Sequence, residues 1–244
     1  MGWILPIFIL VVWQVGSTFG LIQSTWLPAP STILVSLYEL SATGELWGHI
    51  WITSLRVFIG FLIGASLATF IGSLTGYSLM ARRLLDPMLQ ALRNIPSLAW
   101  VPLFLLWLGI FEESKIALIA TGVFFPVYLT LSSGIAQVDR KFIEVGMIFE
   151  LTPTNLITRI ILPAALPSWI TALRSGLSLG WMFVVAAELM GATRGIGFLM
   201  YDAQQVSRSD IIIASIILFA ILGKLSDWIL ELIGDSLLHY QKVG

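Results

Sequence analysis

Between Ser54 and Leu79 the chain runs almost without charge, and small residues recur every fourth position: Gly60, Gly64, Ala68, Gly72 and Gly76. A period of four puts all five on one face of a helix, and a face without side chains lets a second backbone come close, as in the GxxxG packing of membrane helices. An apolar run longer than about 20 residues is long enough to cross a bilayer. Composition extends that reading to the whole chain. Of 244 residues 57% are hydrophobic and only 11% charged, and the mean hydropathy is +0.93. Soluble domains carry about 25% charged residues, so the expected fold class is an all-α integral membrane protein. The net charge of -1 comes without a basic stripe and predicts no nucleic-acid partner. There is no cysteine, and His49 and His239 lack metal-ligand spacing, so no metal site is expected.

Six apolar runs are predicted to span the bilayer, at about 3–21, 54–79, 84–110, 115–136, 168–190 and 211–232. The first has no positive start and no small-residue cleavage site, and reads as a retained helix rather than a signal peptide. A short helix is expected over 31–40, with Ser31 as its cap. The third run is interrupted by Pro87, Pro96 and Pro102, and Arg93-Asn94-Ile95-Pro96 joins a charge and an amide to a helix break. Two readings of Arg93 stand: it lines a pathway at a kink, or it snorkels to the interface. A bend is expected at Pro126 in the fourth run. In the fifth, Arg174, Ser178, Trp181, Val185 and Glu188 share a face, and Gly176 and Gly180 repeat the small-residue spacing. Arg174 and Glu188 lie roughly 21 Å apart at helical rise, so each needs a partner elsewhere. The segment 191–210 reads as a polar connector.

Six spans put both termini on one side. Arg82, Arg83, Arg140, Lys141, Arg159 and Lys242 fall on that side, against Lys115, Arg194 and Arg208 on the other, which predicts cytoplasmic termini. The mixed stretch Glu144–Pro167 is then cytoplasmic. It is neither a span nor a short connector, and reads as a docking surface for a soluble partner. No catalytic constellation is present. Gly223-Lys224 lacks the rest of a phosphate loop, and there is no HExxH or GxSxG. Energy for uphill transport would come from another subunit, or from ion coupling through Glu188. A scaffold that binds a soluble protein without transport is the third class.

The same stretch resembles the EAA loop of permease subunits of ABC importers. Glu144 matches the motif's glutamate, Val145 and Gly146 its two small residues, and Ile160-Ile161-Leu162-Pro163 its close. Glu150 stands where the motif has glycine, and glutamate does not take a positive φ cheaply, so either the turn shifts to Thr152-Pro153 or the coupling geometry differs. RNIP at 93–96, FFPVYL at 124–129, ILPAALPS at 161–168, AAEL at 186–189 and GIGFLM at 195–200 are similar to the branch that imports nitrate, bicarbonate, taurine and aliphatic sulfonates, with sulfonate permeases closest.

The resemblance implies a type I importer (MetI-like) permease fold, one permease domain over 1–244 and a coupling loop at about 137–165. It implies a homodimer in the bacterial inner membrane with two ATPase subunits, which bind the ATP and Mg, and an extracytoplasmic substrate-binding protein. This chain itself would hold no cofactor and no catalytic residue. Glu144, Gly146, Glu150, Thr152, Pro153, Leu162 and Pro163 would couple to the ATPase. Arg93, Asn94, Arg174, Ser178 and Glu188 are candidates for the pathway, with Glu188 the one closer to a gate or packing contact.

Overall fold

The computed structural model describes residues 4–238, so Trp3, His239 and Lys242 lie outside the described residues. Among the described residues every regular element is helical: α1 Ile4–Thr18, α2 Pro30–Ala42, α3 Glu45–Tyr77, α4 Leu79–Arg93, α5 Trp100–Leu108, α6 Glu112–Ala136, α7 Arg140–Ile148, α8 Pro153–Leu156, α9 Leu162–Leu189, α10 Ile196–Gln205 and α11 Ser209–Leu237. A 3-10 turn at Ser97–Ala99 precedes α5, and a π turn at Ile157–Ile161 joins α8 to α9. Four stretches are long and apolar enough to cross a membrane: α3, α6, Ile157–Leu189 and α11. α1 is a shorter apolar helix whose apolar side chains are mostly exposed, as a lipid-facing helix requires.

The run expected at 84–110 is broken. Ile95 precedes Pro96, and the residue before a proline is driven out of helical geometry. α4 accordingly stops at Arg93 with Asn94 as its C-cap, and helix resumes at Trp100. Pro102 falls in the first turn of α5, where a missing N–H costs nothing. Pro126 lies inside α6, which runs through it as one helix.

By contacts the chain forms two compact units, Arg56–Ala187 with Gly223–Gly244, and Met1–Leu55 with Glu188–Leu222. In the first, the small-residue face of α3 lies against α6. A Cβ on Gly60 would stand 2.6 Å from Ile119 Cγ2, one on Gly64 would strike the Ala120 carbonyl, one on Gly72 would reach the Tyr128 carbonyl at 3.3 Å, and one on Gly76 would stand 2.8 Å from Ile135 Cβ. Ala68, in the same row, is fully buried. Position rises together on the two helices, so α3 and α6 run parallel, and the chain between them must return to its starting side. The broken α4–α5 stretch makes that return.

α9 lies antiparallel to α6. Gly122 faces Phe183, Gly176 faces Val127 and Val123, and Gly134 faces Ser168. α11 in turn lies antiparallel to α9, with Trp181 Nε1 donating to Ser226 Oγ at 2.8 Å and Gly234 against Ile170.

In the second unit α2, the first turns of α3, α10 and the first half of α11 enclose Leu46, Leu199, Ala203 and Ile211, with Leu37, Leu40 and Ile50 packed around them. Ser31 does not cap α2. The N-cap is Ala29 with Pro30 at the first helical position, where a proline is preorganised. Ser31 instead bonds Gln14 of α1 through its amide and its hydroxyl, both at 3.1 Å.

Candidate functional site

The segment 137–165, where the coupling loop is expected, is built from two capped helices and a left-handed turn. Asp139 accepts from the Lys141 amide at 3.0 Å and caps α7. At the other end the Leu151 amide bonds back to the Gly146 carbonyl at 3.1 Å while Glu150 takes φ 53. A six-to-one bond across a left-handed residue is the Schellman ending of a helix. The alternative in which the turn shifts to Thr152-Pro153 is therefore corrected: Glu150 itself adopts the glycine conformation. Thr152 has a different task. Its Oγ1 accepts from the Asn155 amide at 3.4 Å, so it is the N-cap of α8, with Pro153 at the first helical position.

Gly146 is buried, and a Cβ there would stand 2.5 Å from Leu156 Cδ1 and 2.7 Å from Ile160 Cδ1. Only a residue without a side chain lets α7 fold this closely over α8 and the π turn. In the π turn the Leu162 amide bonds to the Ile157 carbonyl, five residues back. The widening makes room ahead of Pro163, whose ring would crowd the carbonyl four residues earlier in a regular helix. Pro163 is half-buried and Leu162 is 61% exposed.

The outer surface of α7 is apolar. Phe142, Val145, Ile148 and Phe149 are 47–77% exposed, and Glu144 is exposed among them. Single exposed apolar residues need no explanation, but three on a nine-residue helix, with Phe149 directly after it, form an exposed apolar patch. Behind α7, toward α6 and the start of α9, lies a hollow of about 640 Å³ lined by Ser133, Gln137, Asp139, Phe142 and Ser168. α7 is thus held mainly through Gly146 and the α8 side.

The pathway candidates separate. Arg93 and Asn94 end α4, both exposed, with Arg93 in the last turn, where a cation suits the helix dipole. Arg174 is engaged. Its Nε and Nη2 donate to Asp227 Oδ1 and Oδ2 at 2.7 and 2.9 Å, and Nη2 reaches Glu231 at 3.2 Å. Lys224 also reaches Asp227, at 3.3 Å. Two cations stand against two carboxylates at this cluster. Ser178 is exposed and donates to the Arg174 carbonyl of its own helix at 3.0 Å.

Glu188 is 1% exposed. Thr53 Oγ1 donates to its Oε1 and the Gly197 amide to its Oε2, both at 2.7 Å. It binds the start of α10, the helix that the sequence reading left inside a connector. Sequence reasoning also missed a cluster of two buried cations on an exposed carboxylate in the first unit. Arg56, 4% exposed, forks onto Glu112 at 2.6 and 2.7 Å, and Lys115 Nζ donates to the carbonyls of Ile110 and Phe111 at 3.1 Å. The cluster ties α3 to the turn that opens α6. Tyr128, from the FFPVYL motif, donates to Asp86 of α4 at 2.7 Å. No group of metal-ligating side chains occurs among the described residues.

Membrane-long helices joined to an exposed, bent pair of short helices are the arrangement that the EAA-loop resemblance implies. The fold agrees: a solved structure described as an inward-facing conformation of the MetNI methionine ABC transporter matches 81% of this chain and 98% of its own, with a TM-score of 0.66 at 18% identity. The sequence profile of the binding-protein-dependent transport system inner membrane component family matches residues 60–239, and the chain belongs to that family. A Bacillus subtilis (strain 168) protein carrying the name aliphatic sulfonates transport permease protein SsuC is 44% identical over 98% of this chain and 87% of its own length. Its Escherichia coli (strain K12) namesake is 42% identical over 92% of this chain and 86% of its own.

Proposed function

We propose that this chain forms the translocation pathway of an ATP-driven importer for small anions, with aliphatic sulfonates as cargo. Residues 137–165 receive the motion of a separate ATPase. The observation that carries the coupling role is the exposed apolar face of α7 around Glu144, locked to the following helix through Gly146. A rigid element with an apolar outer face transmits displacement; a flexible loop would absorb it. Phe142, Val145 and Phe149 fill the ATPase groove, Glu144 fixes register there, and the capped turn at Glu150, Thr152 and Pro153 sets the angle between the two short helices. Leu162 and Pro163 carry the motion into α9.

The working complex holds two copies of this chain, two ATPase subunits that bind ATP and Mg, and an extracytoplasmic binding protein. It lies in the bacterial inner membrane with cytoplasmic termini. Arg93 and Asn94 are the residues of the pathway that meet the anion, because the charge of Arg174 is already matched. An ion-coupled carrier acting through Glu188 has less support, since both carboxylate oxygens already accept hydrogen bonds.

The sulfonate assignment rests on the two relatives described above, at 44% and 42% identity. The experiment is a thermal shift on the cognate binding protein with an alkanesulfonate, taurine, nitrate and bicarbonate in turn. Ligand at about 100 times its Kd stabilises a protein by about 2.7 kcal/mol, which a melting curve resolves. Stabilisation by nitrate or bicarbonate alone overturns the cargo assignment and leaves the importer reading standing.

A further inference from the structure

The start of α10 has no cap of its own. Its N-cap is Gly195, at φ 126, which brings no side chain. Helix N-termini leave orphan amides that local Ser, Thr, Asp or Asn side chains normally satisfy. Here three successive amides are each taken by a side chain from another helix. The Gly195 amide donates to His49 Nδ1 at 2.9 Å, the Ile196 amide to Thr53 Oγ1 at 2.8 Å, and the Gly197 amide to Glu188 Oε2 at 2.7 Å. Thr53 in turn donates its hydroxyl hydrogen bond to Glu188 Oε1, so its bond and that of Glu188 are coupled. A Cβ on Gly195 would strike the Glu188 carboxylate.

One of the three acceptors differs in kind. The oxygens of the Thr53 hydroxyl and the Glu188 carboxyl group keep lone pairs at any pH, but Nδ1 of an imidazole accepts only while unprotonated. Protonation puts an N–H on Nδ1, facing the N–H of Gly195. The ring also stacks on Phe198, with centroids 6.1 Å apart and planes at 20°. The charges around His49 are Glu45 one turn earlier on α3, Arg194 beside Gly195 and Asp202 on α10. Glu188 approaches Gly195 from α9.

We propose that His49 is a positioning residue for transport that works only unprotonated: its Nδ1 holds the start of α10 against the first turns of α3, and acidification on the side that His49 faces releases that hold and lowers uptake. The proposal rests on the importer reading, in which α10 is extracytoplasmic. Imidazole changes charge between about pH 5 and 8, so the release falls within the range that an outer medium reaches.

The test has two arms. In the first, the purified permease in nanodiscs is exchanged into deuterated buffer at about pH 7.5 and about pH 5.5. Exchange over 194–199 is divided by that over 60–68, which cancels the intrinsic pH dependence. The expected ratio rises about tenfold at the acid pH, the loss of one hydrogen bond's worth of protection. An unchanged ratio overturns the proposal without any variant. In the second, anion uptake is followed with ATPase and binding protein present, the binding protein's own affinity being measured at each pH. The variant His49→Asn places an acceptor oxygen near Nδ1 that does not titrate. It is expected to keep neutral-pH uptake and to lose the acid decline, whereas His49→Phe keeps the stack on Phe198 and lowers uptake at every pH. An acid decline in His49→Asn equal to the parent's overturns the transport role, as does full neutral uptake by His49→Phe. Absence of uptake for every anion at every pH, with the exchange ratio still rising, refutes the importer reading and leaves the hold on α10 intact.

Discussion

The packing of α3 on α6 is tested by one substitution made twice in the same helix. Gly64→Ala and Gly48→Ala both place a methyl group on α3. At Gly48 nothing lies within 4 Å of the new Cβ, whereas at Gly64 it meets the Ala120 backbone carbonyl, with Val123 Cβ at 3.0 Å. Alanine raises helix propensity by about 1 kcal/mol at either site, so this contribution cancels in the comparison. What remains is overpacking at Gly64, which costs about 1–3 kcal/mol when the obstacle cannot rotate away. A backbone carbonyl inside a helix cannot. The expected difference is therefore about 2 kcal/mol, with Gly48→Ala neutral or stabilising and Gly64→Ala destabilising. For a chain of this size about 1 kcal/mol moves Tm by about 2–4 °C, so the variants should melt about 4–8 °C apart. Thermal unfolding in nanodiscs, followed by tryptophan fluorescence, reads the difference. Equal melting temperatures would refute the close approach of the two backbones.

Glu150 holds a left-handed conformation that costs a side-chain residue about 1–2 kcal/mol; Glu150→Gly should slow amide exchange at Leu151, and Glu150→Val should speed it, because a β-branched residue tolerates positive φ least. Glu188→Ala leaves two buried donors without an acceptor, at about 1–3 kcal/mol each, and should lower the apparent stability by about 4 kcal/mol, with Glu188→Gln losing about half as much in the same melting assay. Arg174→Gln and Asp227→Asn, alone and combined, should show a coupling energy of about 1–3 kcal/mol; additive effects would mean the bidentate pair contributes nothing. Glu144→Ala should leave stability within about 0.5 kcal/mol and reduce ATPase stimulation by the loaded binding protein; unimpaired stimulation removes Glu144 from the coupling surface.

Much of the architecture was legible because it is written in local periods. The five small residues of α3 predicted a close neighbour, and the neighbour is α6. The break at Pro96 was visible in the sequence, yet the run around it was read as one span because hydropathy sees only apolar content. The Schellman ending at Glu150 was not legible: residue preference argued against a positive φ, but the geometry of α7 over α8 fixes the turn and overrides it. α10 escaped notice for another reason. Its caps come from His49, Thr53 and Glu188, and the bonds to His49 and Thr53 span 146 and 143 positions of sequence. No window along the chain contains them. Arg174 was expected to need a partner away from Glu188, and it has two. Which two could not be read, since Asp227 stands 53 positions away on another helix.

The π turn at Ile157–Ile161 has a consequence for how the chain tolerates change in length. It holds one residue more than a regular turn, and each residue of an α-helix is worth about 100° of rotation. Removing a single residue there would leave a regular turn, so α7 and α8 would keep nearly the same phase about the axis of α9. The same deletion in the regular part of α9 would instead rotate them by about 100°. The turn is therefore the one place in this stretch where a one-residue change in length leaves the exposed face of α7 pointing where it did.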